Sequence, residues 1–196
     1  YSMIGGLFLS LFALMPNLVM SLLIVGCGIG AIHAVGNKFQ YKKRAKMLWS
    51  KLSDRGGQAA GMAYLKPDGV YYFKDAFSSV ALQQYVNKFL TDSISWAMFH
   101  TRYATHGVNN AKNAQAVAEC LAVDGIEKVV ELCEGTMSLI WSDKREPTGT
   151  LKCWTNGGNP LHMGRLDDDA VVIASTKKHL QDSFGVRLVD EWACAI

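Results

Sequence analysis

Residues 1–37 carry no charged side chain, although the 196-residue chain holds 20 Lys+Arg and 17 Asp+Glu. That asymmetry constrains the fold more than any average does. From Met3 to Ile32 the run is nearly all apolar. About 20 such residues in helical form cross a bilayer, so a membrane span is the first structure the run predicts. Pro16-Asn17 interrupts it, Gly26, Gly28 and Gly30 punctuate its end, and no Lys or Arg precedes it as a secretory leader requires. A split competes with the span. Residues 1–26 then form an apolar leader, propeptide or upstream extension, starting at Tyr1 with Met3 and Met20 as alternative beginnings. A buried strand opens at Cys27.

Ile24-Val25-Gly26-Cys27 also resembles the lipobox of bacterial lipoprotein signals, in which the Cys is diacylated and becomes the first mature residue. The missing basic region counts against it. Beyond Lys38 the charge density is ordinary for one globular domain. A net charge of +3, with no basic run longer than Lys42-Lys43-Arg44, gives no broad face for nucleic acid. Those three residues read as the wet side of a helix. The five cysteines form no CxxC pair and no metal-ligand spacing with the five histidines. Cys120, Cys133, Cys153 and Cys194 read as small buried apolar residues.

Periodicity places a strand at 27–35 and an amphipathic helix at 38–53. A β-hairpin over 58–65 and 69–74 turns at Lys66-Pro67-Asp68-Gly69. A helix near 78–91 and a strand at 94–101 follow, then a polar loop to 115 and a helix over 116–133. Short strands are expected at 136–142, 150–155, 161–164 and 170–174, with a helix from Lys177 and a strand near 186–189. Strands and helices come in blocks, which predicts an α+β fold with antiparallel sheet and helices packed outside it. Trp141, Trp154 and Trp192 read as core or interface aromatics.

The densest group of chemically capable residues is His100-Thr101-Arg102-Tyr103-Ala104-Thr105-His106-Gly107, where a buried strand gives way to a loop. An Arg there can present a planar fork to a carboxylate. From the residues alone, the same segment also fits an Arg that ties down the loop beside two core histidines.

This segment resembles the HTRWATHG signature of class II glutamine amidotransferases, the glutaminase domains of the N-terminal-nucleophile (Ntn) hydrolases, such as that of glucosamine-6-phosphate synthase. Cys27-Gly28-Ile29-Gly30-Ala31-Ile32 resembles their CGIVGxI start, and Asp54-Arg55-Gly56-Gly57-Gln58-Ala59-Ala60-Gly61 their RGxDxAG turn, with Gln58 where the family has Asp. Asn159-Pro160-Leu161-His162-Met163-Gly164 and Val172-Ile173-Ala174-Ser175 are similar to their later strands. The four segments occur in the family's order.

The resemblance implies an αββα sandwich of two antiparallel sheets over 27–196. It implies glutamine as substrate and no cofactor, with hydrolysis of the side-chain amide to glutamate and ammonia. Cys27 takes the place of the nucleophile, whose own α-amino group is the base, and Arg102 that of the residue holding the α-carboxylate of glutamine. Thr105, His106 and Gly107 would line the pocket. Ammonia would pass to a separate synthase domain or subunit. The family's segment between the loop and the next helix, which carries an oxyanion-binding Asn-Gly, is missing where Gln115 runs into Ala116. A different class of reading is thus an inactive or partial relative that uses the scaffold for binding or membrane attachment. A cytoplasmic protein is expected, attached to a membrane where 1–26 is retained.

Overall fold

A computed structural model describes residues 20–25, 28–33, 41–56, 59–75, 86, 88, 90, 94–102, 120–121, 123–132, 138–143, 145–147, 149–156 and 160–185. The apolar beginning is not one helix. Met20–Val25 (β1) and Gly28–His33 (β2) are strands of two different sheets. Among the described residues no helix is long and apolar enough to cross a membrane. The reason is pairing: the backbone of β1 bonds to Ser138–Asp143 (β6), and that of β2 to two strands of the other sheet.

Tyr41–Leu52 (α1) forms within the predicted helix because Ala45, Leu48, Trp49 and Leu52 recur at helical spacing and all four are buried. Lys42 and Lys43 face solvent, while Arg44 reaches Asp168 at 2.8 Å. Ala59–Lys66 (β3) and Gly69–Asp75 (β4) make the predicted hairpin, turning through Pro67 and Asp68. Of the helix expected near 78–91, the described residues Val86 and Lys88 are helical, and Leu90 N–H bonds the Val86 carbonyl.

Trp96–Arg102 (β5) is central, between β3 and β2. The helix expected over 116–133 is broken. Gly125 takes φ +87°, which separates helical residues 120–121 and 123 from Ile126–Leu132 (α2). Such a left-handed position stops a helix and favours glycine. Lys152–Thr155 (β7), His162–Arg165 (β8), Val171–Ala174 (β9) and Lys177–Phe184 (α3) follow as expected. Thr176 caps α3 by accepting the His179 N–H at 3.2 Å. The strand expected near 186–189 lies outside the described residues.

Two antiparallel sheets result, a large one ordered β4-β3-β5-β2-β9-β8 and a small one ordered β1-β6-β7. Alternation along β5 separates the two cores. Ala97 and Phe99 join Leu48, Trp49, Leu52 and Leu180 on the helix side, where Trp49 meets Phe99 edge to face at 5.3 Å. Trp96 and Met98 join Ile29, Ala31, Ile140 and Cys153 on the other side. The large sheet is thus covered by α1 and α3 on one face and by the small sheet on the other. Trp141 is buried and Trp154 half-buried, as core aromatics should be.

Candidate functional site

Three of the sequence motifs meet at one end of the large sheet through strand register alone. Gly28, the first residue of β2, stands opposite Thr101, which on its other side stands opposite Ala60. Arg102, the last residue of β5, pairs with Ala59 at the start of β3. The fourth motif arrives through β9. Ser175, next after that strand, donates its N–H to the Ile29 carbonyl at 2.9 Å, and its Oγ accepts the Ile29 N–H at 3.3 Å.

Side chains lock this end. Thr101 is fully buried and its Oγ1 donates to the Leu52 carbonyl at 2.7 Å, tying β5 to the end of α1. Arg55, in the turn after α1, donates from Nη1 to the Ser175 carbonyl at 3.3 Å. Gly28 has no room for a side chain. A Cβ there would lie 2.1 Å from Thr101 Oγ1 and 2.9 Å from the Leu52 carbonyl oxygen. The glycine of the Cys-Gly-Ile-Gly segment is therefore what lets α1 and the Thr101 hydroxyl close over the start of β2. His100 is buried in register between Ile29 and Gly61.

His179 of α3 packs near the same end. Burial of its ring holds the imidazole below its usual value; Asp54 and Asp182 oppose that shift, and Arg55 and Lys178 reinforce it. Its Nδ1 is buried without a hydrogen-bond partner among the described residues.

Of the residues singled out in the sequence, Arg102 is placed by its backbone at this sheet end. Cys27, Thr105, His106 and Gly107 lie outside the described residues, as do Gln58 and the junction of Gln115 with Ala116. Cys27 directly precedes Gly28 in the sequence. Among the described residues, His33, Gly149, Thr150, Leu151 and Val171 line a cleft of about 420 Å³ at the opposite end of β2.

The fold is similar to that of solved structures. A glutamine phosphoribosylpyrophosphate (PRPP) amidotransferase from B. subtilis, complexed with ADP and GMP, superposes with a TM-score of 0.62 at 17% identity, over 85% of this chain and 45% of that one. The allosteric regulatory enzyme of purine biosynthesis gives a TM-score of 0.65 at the same identity and coverage. The chain has the fold of the Ntn glutamine amidotransferases. It spans less than half the length of either of these proteins. No protein-family model and no curated protein matches the sequence.

Within this fold, Thr101 and Ser175 fix the end of the sheet through hydrogen bonds that the sequence did not mark. Both lie inside the quoted motifs. Their partners, the Leu52 and Ile29 backbones, are 49 and 146 residues away in sequence, so no local pattern marks the bonds.

Proposed function

We propose that the chain hydrolyses the side-chain amide of glutamine, with Cys27 as an N-terminal nucleophile. The observation that carries this reading is the register Gly28 to Thr101 to Ala60, which supports a site assembled from the Cys27, Arg102 and Ala59 segments. Amide hydrolysis needs a nucleophile, a base and a way to hold the substrate. An α-amino group titrates at about 7.7–8.0, so a free one on Cys27 takes the thiol proton near neutral pH. An internal Cys27 has only an amide nitrogen, so the reaction requires that residues 1–26 be absent or detached.

The Cys27 thiolate attacks the amide carbon of glutamine, and the proton it gave up leaves with ammonia as the C–N bond breaks. Water then hydrolyses the thioester, releasing glutamate and restoring the thiol. Arg102 holds the α-carboxylate with its guanidinium fork, and Thr105, His106 and Gly107 line the pocket. Ammonia is passed to a separate synthase domain or subunit. The experiment is ammonia release from glutamine by the processed protein beside its Cys27→Ala variant. Release well above the variant's background is expected; release equal to it contradicts catalysis and leaves the scaffold as a binding module.

A further inference from the structure

Met20–Val25 lies in the segment that must be detached for Cys27 to act, yet it is a strand of the fold. Its register with β6 runs Met20 to Asp143, Leu22 to Ser142, Leu23 to Trp141, Ile24 to Ile140 and Val25 to Leu139, with an irregularity between Met20 and Leu22. On its other side β6 pairs with β7, and all six of its residues are buried. Strand β1 also lies against β5 of the large sheet. Without β1, β6 would expose one full row of backbone donors and acceptors, a costly edge for a strand buried along its length.

In sequence, the bond that frees the Cys27 amine follows Val25, the last residue of β1, and precedes Gly28, the first of β2. Hydrolysis of the Gly26–Cys27 peptide consumes one water and leaves a Gly26 carboxylate and a Cys27 α-amino group. Among the described residues, the pairing of β1 with β6 runs from Met20 to Val25, and the pairings of β2 with β5 and β9 lie within Gly28 to His33. Four uncharged apolar residues, Leu22 to Val25, are in unbroken register with Ser142 to Leu139 of the small sheet.

We infer that Met20–Val25 remains in the small sheet as a non-covalently held strand once the chain is opened before Cys27, so that the processed protein is a two-chain molecule. This rests on the N-terminal-nucleophile reading for the cut itself. The strand's retention is physically separate from catalysis and can be read without it.

The test uses the full chain carrying Cys27→Ala, with a site-specific protease sequence flanked by Gly and Ser inserted before residue 27. After cutting, size-exclusion fractions collected in native buffer and in guanidinium chloride are weighed by denaturing mass spectrometry. The upstream fragment should co-elute with the body in native buffer and separate in guanidinium chloride. A companion carrying Leu22→Pro and Leu23→Pro loses two consecutive N–H groups, one of which must point toward β6 because they alternate along a strand. Its fragment should separate in native buffer. Separation of the unsubstituted fragment in native buffer would overturn the inference, as would retention of the proline-substituted one. Since both proteins lack the thiol, neither result depends on whether glutamine is the substrate, and failure of the ammonia assay leaves this outcome unchanged.

Discussion

The Thr101 hydroxyl donates to the Leu52 carbonyl at 2.7 Å, so the last turn of α1 and the end of the central strand are fixed to each other at the end of the sheet where the motifs meet. Thr101→Val keeps the shape and removes the donor. The buried carbonyl then loses that partner, with an expected loss of about 1–2 kcal/mol, read as a lower urea midpoint. Thr101→Ser, which keeps the hydroxyl, should recover most of it.

Gly28 and Thr101 are coupled through space. Gly28→Ala places a methyl 2.1 Å from Oγ1 and 2.9 Å from a backbone oxygen, and the overpacking should cost about 1–3 kcal/mol or more. In a Thr101→Ala background the nearer clash is gone while the backbone one remains. A double-mutant cycle followed by urea unfolding should therefore give a smaller penalty for Gly28→Ala in that background. Equal penalties would show that the strand start relaxes independently of Thr101.

The pH dependence of stability should carry a signature of His179. Burial holds its folded-state pKa below the ordinary value of 6.5, so on acidification the unfolded chain takes up the proton first. Its contribution is complete above about pH 6.5 and is lost as the pH falls toward the folded-state value. Melting temperatures measured from pH 7 down to pH 5 should fall, and His179→Gln should flatten that part of the curve. An unchanged slope would remove His179 as its source.

Most elements were legible in the sequence. The apolar spacing of Ala45, Leu48, Trp49 and Leu52 sufficed for α1, and Pro67-Asp68 for the hairpin, because each signal is local. Met20–Val25 was not legible as a strand. Five apolar residues and one serine suit a helix or a buried strand equally, and what decides is β6, more than a hundred residues away. The break at Gly125 was missed for a related reason, since one glycine in a helical pattern is compatible with continuing it. At the site, motif order was readable. That Gly28 must be small because a threonine from β5 and a carbonyl from α1 meet there belongs to the folded chain only.

Arg102 gives a prediction about substrate affinity. Arg102→Lys keeps the charge and loses the planar two-point contact with a carboxylate. Losing about 1.5–3 kcal/mol of charge-assisted hydrogen bonding corresponds to a KM for glutamine raised about 10- to 100-fold, with a smaller change in kcat. A fall in kcat at unchanged KM would remove Arg102 from carboxylate binding.

The central claim is that Cys27 acts as a free N-terminal thiol on a glutamine amide. An electrophilic glutamine analogue, such as the diazoketone, tests it most directly when the labelled protein is digested and its peptides are weighed. One adduct is expected, on Cys27, in a peptide that begins at that residue and keeps an unmodified α-amino group. A Cys27 peptide that still continues upstream through Gly26, or one that carries no adduct while other cysteines do, would contradict the account.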